Sequence, residues 1–169
     1  MVSDFEQLIR LLTRHNVEFV IVGGLAATIH GAATVTYDLD ICYRRSNENI
    51  ERLCRALFSI HPRLRGAPEG LPFTLDPTTV MAGFNFTLST DLGPLDLLAE
   101  ITPIGLYERV VENAQTAHLF GCEVHVLSLR ALIAAKRGTG RSKDAIAVLE
   151  LEQLLKAQER ESRDPPAEP

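Results

Sequence analysis

The chain has 169 residues, of which 46% are apolar, and a formal net charge of −5. These values fit one domain with its own hydrophobic core, exclude a disordered chain, and provide no global basic field for a nucleic-acid backbone. No apolar run reaches the roughly 18–20 residues of a membrane helix, and the N-terminus lacks a signal peptide. The three widely spaced cysteines suit reduced thiols. We therefore expect a cytoplasmic protein.

Hydrophobic spacing predicts helices that alternate with short strands in the N-terminal part of the chain. Residues 4–15 repeat apolar side chains at helical spacing, whereas residues 18–22 form a short apolar run that indicates a buried strand. Gly23 and Gly24 end this strand directly before a short helix. The predicted elements are a helix over 4–15, a strand over 18–22, a helix over 25–30, a strand over 34–43 and a helix over 47–60.

The rest of the chain predicts further strands and two C-terminal helices. Three prolines and two glycines mark residues 61–72 as a loop. The predicted elements that follow are strands over 73–75, 84–88 and 95–101, a hairpin over 115–127, and helices over 128–136 and from Ser142. We therefore expect one domain over residues 1–156, an α/β (α+β) fold with a short mixed sheet flanked by helices, and a flexible tail over 157–169.

Two aspartates stand two residues apart on one predicted strand. Side chains at that spacing point to the same face, with Cα atoms roughly 6.5–7 Å apart. The carboxylates of Asp38 and Asp40 therefore repel each other unless a cation lies between them. Oxygen ligands suit magnesium, and a carboxylate pair of this kind can bridge two metal ions. The alternative is a solvated strand face that carries two acidic residues.

A glycine pair precedes the two aspartates in the chain. Gly23 and Gly24 close a buried strand and open a helix. Glycines at such a point let phosphate oxygens approach backbone N–H groups, and a helix N-terminus favours negative charge. The alternative interpretation is a plain tight turn between strand and helix.

A third carboxylate lies inside a later apolar strand. Asp96 stands among leucines, where an unpaired carboxylate is costly. If this strand pairs with the strand over 34–43, Asp96 completes a triad with Asp38 and Asp40. The alternative is an edge aspartate that faces water, and Asp91 and Glu100 are nearby competitors.

Basic residues cluster around the start of the last predicted helix. Lys136 and Lys143 are candidates to hold triphosphate oxygens. They are otherwise solvated residues at helix ends, and Lys143 with Asp144 would form a local ion pair. His30, at the end of the short helix, suits a packed core histidine or a catalytic group.

These blocks together resemble the minimal nucleotidyltransferase, or polymerase-β-like, superfamily. The matching residues are Gly23-Gly24 with Ala26, His30-Gly31, and Thr36 with Asp38 and Asp40, a pattern most similar to the AbiEii-type toxin branch. Residues 95–98 and 132–144 add weaker matches. The departures from the pattern are glycine at position 24, where many members have serine, and threonine at position 34, where many have arginine.

The resemblance implies an enzyme that uses magnesium, with two ions, and a nucleoside triphosphate such as ATP. It would transfer a nucleoside monophosphate to a hydroxyl of an RNA or tRNA end, a protein or a small molecule. Asp38, Asp40 and Asp96 would bind the metal, while Gly23, Gly24, Lys136 and Lys143 would contact the nucleotide. A toxin–antitoxin role would add a cognate antitoxin or partner subunit. The alternative, favoured by Thr34, is a catalytically weak or inactive binding module, itself an antitoxin or partner subunit.

Overall fold

A computed structural model describes residues 1–68, 70–140 and 142–163, the side chains of residues 142 and 143 excepted. The helices are α1 Phe5–Arg14, α2 Gly23–Ile29, α3 Asn47–Phe58, α4 Pro77–Ala82, α5 Tyr107–Glu112, α6 Leu129–Thr139 and α7 Ser142–Arg163. The strands are β1 Phe19–Val22, β2 Leu39–Tyr43, β3 Arg63–Leu64, β4 Phe86–Thr90, β5 Gly93–Leu98, β6 Glu100–Ile101, β7 Gly105–Leu106, β8 Ala114–Leu119 and β9 Cys122–Leu127.

Seven of the strands form one mixed sheet in the order β3-β4-β5-β2-β1-β9-β8. The pairs β2–β5 and β1–β9 are parallel, and the other neighbouring pairs are antiparallel. Strands β6 and β7 pair separately. The mixed sheet with flanking helices confirms the predicted fold class. No helix within the described ranges is long and apolar enough to cross a membrane.

The core fixes which face of the central strands carries polar groups. Leu39 and Ile41 of β2, and Leu95 and Leu97 of β5, are fully buried. Because side chains alternate along a strand, the residues between these leucines and isoleucine lie on the opposite face. The alternation therefore places the acidic residues of both strands on one face of the sheet.

Several elements differ in extent from those that the sequence predicts. Strand β2 begins at Leu39, so residues 34–38 are not part of the sheet. The reason is that β1, its neighbour, ends at Val22, where the chain turns into α2. Helix α2 begins at Gly23, two residues earlier than expected, and α7 continues to Arg163, past residue 157. The flexibility of residues 157–169 stays a prediction, and residues 164–169 lie outside the described part of the chain.

The segment between α3 and β4 also differs from expectation. The strand predicted over 73–75 is wrong, since residues 71–76 have no regular structure and α4 follows them. Asp76 caps α4 by accepting a hydrogen bond from the Thr79 N–H, and Pro77 fits its first turn. The predicted loop over 61–72 contains β3, which pairs with β4 at the edge of the sheet.

Candidate functional site

Three carboxylates converge on one face of the sheet. Asp38 lies in the bend before β2, Asp40 lies within β2, and Asp96 lies within β5. Asp40 and Asp96 are direct partners in the parallel β2–β5 register. One carboxylate oxygen from each of the three residues lies within 4.8 Å of the other two. The structure thus brings together the three aspartates that the sequence singles out, although Asp38 reaches the group from outside the strand.

The environment of Asp40 and Asp96 opposes the ionisation of their carboxyl groups. Burial raises the pKa of Asp40 to about 7, and the neighbouring charges of Asp38 and Asp96 add to the rise. A hydrogen bond from the Gly24 N–H and the charge of Arg65 act in the opposite direction. Burial also raises the pKa of Asp96. The cluster therefore favours a bound proton or a cation that compensates its charge.

The glycine pair makes room for side chains of the protein itself. Gly23 has φ +63, and a Cβ at this residue would lie 2.1 Å from Oδ2 of Asp40. A Cβ at Gly24 would lie 2.6 Å from Oγ1 of Thr36. Both distances are far shorter than a non-bonded contact allows, so neither position accepts a side chain without movement of a neighbour. The structure thus gives a packing reason for glycine at both positions. The expected contact of the two glycines with the nucleotide stays a prediction.

Arg65 is the site residue that the sequence does not reveal. Its guanidinium donates a hydrogen bond to Oδ1 of Asp96 and lies 3.7 Å from Oδ2 of Asp38. Arg65 follows a two-residue strand inside a segment rich in proline and glycine, and no spacing rule connects it to the aspartates. Arg65 thus brings an arginine to the carboxylates from the edge of the sheet. At position 34, where many members of the family that the sequence resembles have arginine, this chain has threonine.

A cavity of about 700 Å³ opens beside Asp40, and it is lined by the ends of β1 and β9, by the segment 98–102 and by α6. Lys136 lines it from the last turn of α6, and its Nζ lies 4.0 Å from Oδ1 of Asp144. Asp144 also accepts a hydrogen bond of 2.7 Å from the Thr139 hydroxyl. The polar and charged lining residues are Asp40, Asn85, Glu100, Thr102, Lys136, Thr139 and Asp144. Lys136 therefore lies in the wall of a cavity next to the carboxylates, while the side chain of Lys143 is outside the described part of the structure.

The other candidate residues lie elsewhere. His30 is buried, and its Nε2 lies 2.9 Å from the backbone oxygen of Leu127, which is the contact of a core histidine. Asp91 pairs with His61 and Arg63 at the edge of the sheet. Glu100 lines the cavity, but it is not a member of the metal-ligand group found among the described residues.

The three aspartates fit a divalent metal such as magnesium. All the candidate ligands are carboxylate oxygens, which hard cations prefer. Burial is the main cause of the raised pKa values of Asp40 and Asp96, and the charges of neighbouring carboxylates add to the rise, so a bound cation would favour the ionised forms. Arg65 supplies one positive charge to three acidic groups. The donor set therefore suits a metal ion.

Comparison with known proteins shows the fold. No protein-family model and no curated protein matches the sequence. The lincosamide antibiotic adenylyltransferase LnuA, solved with lincomycin bound, is 13% identical with a TM-score of 0.58, over 90% of this chain and 98% of that chain. A nucleotidyltransferase candidate from Thermotoga maritima is 15% identical with a TM-score of 0.51, over 93% and 96%. The chain thus has the fold of the nucleotidyltransferases, and its place in the AbiEii-type branch stays a prediction.

Proposed function

We propose that this protein is a magnesium-dependent nucleotidyltransferase, which transfers a nucleoside monophosphate from a nucleoside triphosphate to an acceptor hydroxyl. The observation that carries the proposal is the convergence of Asp38, Asp40 and Asp96 beside a large cavity. The fold supports it, because a structural neighbour of similar length is by name an adenylyltransferase.

The carboxylates of Asp38, Asp40 and Asp96 would hold the metal, with two ions expected. When bound, magnesium lowers the pKa of the acceptor hydroxyl and neutralises charge on the reacting phosphate and the leaving pyrophosphate. Asp40 must lose its proton to bind a cation, so its raised pKa links metal binding to pH. Asp96 would in addition accept the proton of the acceptor hydroxyl, which is the role that the resemblance implies for the third carboxylate.

The cavity beside Asp40 would take the nucleoside triphosphate. A volume of about 700 Å³ lies within the range of small-molecule sites. Lys136 would hold phosphate oxygens with its ammonium group, which has three donors and lies 4.0 Å from Oδ1 of Asp144. Gly23 lies in the same wall, and Gly24 and Lys143 are the further nucleotide contacts that the resemblance implies. ATP is included among the nucleotides to be tried.

The acceptor is an RNA or tRNA end, a protein hydroxyl or a small molecule. The adenylyltransferase neighbour bears the name of an antibiotic class and was solved with lincomycin, so small hydroxyl compounds belong in the panel. If the chain is a toxin of the AbiEii type, a cognate antitoxin would be its protein partner. We place the reaction in the cytoplasm, where nucleoside triphosphates and magnesium are supplied together.

One observation favours a second function, that of a binding module without catalysis. The guanidinium of Arg65 already contacts Asp96 and lies near Asp38, and it gives the carboxylates a cation from the chain itself. A module of this kind would keep the fold and bind a partner protein or a nucleotide. It would show no metal-dependent transfer.

The two functions are separated by a labelling experiment. The protein is incubated with magnesium, each α-labelled nucleoside triphosphate in turn, and total RNA, lysate protein or small hydroxyl compounds. We expect label in one acceptor class, and loss of that label with Asp38→Ala or Asp40→Ala. If no acceptor takes label from any nucleotide, the binding module is favoured. If label persists in both variants, the assignment of the site is wrong.

A further inference from the structure

Arg65 reaches the carboxylate cluster along one row of the sheet. Its backbone N–H donates a hydrogen bond of 2.9 Å to the carbonyl oxygen of Thr87. Thr87 is the cross-strand partner of Asp96, and Asp96 is the partner of Asp40. Residues in one row across a sheet place their side chains on the same face. The backbone therefore directs the Arg65 side chain over β4 and onto Asp96.

The contacts of Arg65 involve two of the three carboxylates that would bind a metal. Its guanidinium donates to Oδ1 of Asp96 and lies 3.7 Å from Oδ2 of Asp38. Its side chain is 30% exposed, and that of Asp96 is 19% exposed, so the interaction is only partly screened by water. A guanidinium stays protonated at all working pH values, so a proton cannot leave to relieve its repulsion of a metal ion.

We propose that Arg65 is an internal counter-ion that competes with metal for this carboxylate pair and positions Asp96. A divalent ion held by these aspartates and a guanidinium in contact with Asp38 and Asp96 would repel each other. Metal binding therefore displaces the guanidinium from Asp38. Its hydrogen bond to Asp96 keeps that carboxylate oriented for the acceptor. This inference rests on the proposed function, because it requires the aspartates to bind a metal.

A second arginine at the same edge of the sheet provides a matched control. Arg63, the first residue of β3, lies two residues before Arg65 and carries the same charge, but it pairs with Asp91 at 3.6 Å. Arg63→Gln removes one positive charge from the same edge without removing a contact to the cluster. A comparison of Arg65→Gln with Arg63→Gln thus separates direct competition from a general change in net charge.

The test measures binding of Mn²⁺ alone, without nucleotide, from the EPR signal of the free ion. We expect Arg65→Gln to bind Mn²⁺ at least about threefold more tightly than the wild type and Arg63→Gln. Arg65→Lys, which keeps a charge but loses the planar fork, is expected to fall between them. At saturating metal, nucleotide transfer by Arg65→Gln is expected to be slower, because Asp96 loses its partner. Loss of a residue with a merely structural role would not tighten metal binding and at the same time slow the reaction.

The outcomes distinguish this inference from the proposed function. If the wild type binds Mn²⁺ and transfers nucleotide but Arg65→Gln binds Mn²⁺ equally or more weakly, only the competition is overturned. If neither the wild type nor Arg65→Gln binds Mn²⁺, the proposed metal site fails and the competition fails with it. Circular dichroism of each variant establishes its fold, and Arg65→Lys decides the question if Arg65→Gln does not fold.

Discussion

Asp40 and Asp96 face each other as direct partners across the parallel strands β2 and β5. Their side chains share one face of the sheet, and Asp38 adds a third carboxylate from the bend before β2. Apolar partners such as Leu39 with Leu95 fix this register from the other face. Burial of these apolar side chains in the core thus holds acidic groups together although they repel each other.

This repulsion makes the stability of the metal-free protein depend on pH. The pKa of Asp40 is raised from its ordinary 3.8 to about 7. Between these values Asp40 is ionised in the unfolded chain and protonated in the folded one, so a rise in pH favours unfolding. We expect the free energy of unfolding to fall through this window, by up to about 1.4 kcal/mol per pH unit, and to level off above it.

Urea denaturation in EDTA, for the wild type and Asp40→Asn, measures this dependence. The amide cannot ionise, so the variant is expected to gain stability relative to the wild type as the pH rises towards 7. The difference between the two proteins removes the contribution of all other titrating groups. An equal pH dependence in both would show that Asp40 is not the group responsible.

Metal binding is expected to expel the proton of Asp40. Because the pKa of this group is about 7, magnesium binding near pH 6 releases a proton, and near pH 8 it releases fewer. The affinity for magnesium should accordingly rise about tenfold between about pH 6 and about pH 8. Calorimetry in two buffers with different ionisation enthalpies measures the number of protons released. A binding enthalpy that is independent of the buffer near pH 6 would contradict this coupling.

Gly23 is expected to resist even the smallest side chain. In Gly23→Ala the new methyl group would meet Asp40, and the positive φ adds backbone strain. Gly140→Ala is the matched control, because Gly140 has nearly the same φ, +62, and no described atom lies within 4 Å of its Cβ position. The control should lose only the strain of about 1–2 kcal/mol, whereas Gly23→Ala should lose more and should also weaken metal binding. If urea denaturation shows equal losses of stability in the two variants, the Asp40 side chain moves away from the methyl group without an energetic cost.

Asn49 holds the ends of two central strands to α3. Its side chain is fully buried, accepts a hydrogen bond of 2.6 Å from the Glu18 N–H, and donates to the carbonyl oxygens of Glu18 and Arg44. Asn49→Ala leaves these backbone groups without a partner, so we expect a loss of about 2–4 kcal/mol of stability. Asn47→Ala, an exposed position in the same helical turn, should change stability little. Thermal and urea unfolding of the two variants test the difference.

The residues of the acidic cluster could be predicted from the sequence, but the pairing of the strands that carry them could not. Alternation of Leu39, Ile41 and Tyr43 with polar residues assigns the faces of β2, and the leucines around Asp96 do the same for β5. That these two strands are neighbours follows from packing of the whole sheet, which no local pattern encodes. The sequence therefore identifies the three aspartates and the resemblance implies that they share a site, while the structure supplies the strand pairing that brings them together.

The features that sequence reasoning missed depend on contacts between distant residues. Thr34 to Tyr37 have high strand propensity, yet β2 starts after them because β1 turns away at Gly23. Arg65 stands beyond a two-residue strand, too short to produce a pattern, and its role comes from its contact with Asp96. The turn explanation for Gly23 was likewise incomplete, because its Cβ position is excluded by a side chain from β2.

Release of pyrophosphate from nucleoside triphosphate, with magnesium and the acceptor that takes label, measures whether Asp38, Asp40 and Asp96 form a metal-dependent active site. The wild type is compared with Asp38→Asn, Asp40→Asn and Asp96→Asn, and with Asp91→Asn as an aspartate outside the cluster. We predict metal-dependent release by the wild type and the control, and a fall of at least about a hundredfold in the three cluster variants. Release that is equal in the cluster variants and the control would contradict the account, as would a wild type that releases no pyrophosphate with any nucleotide.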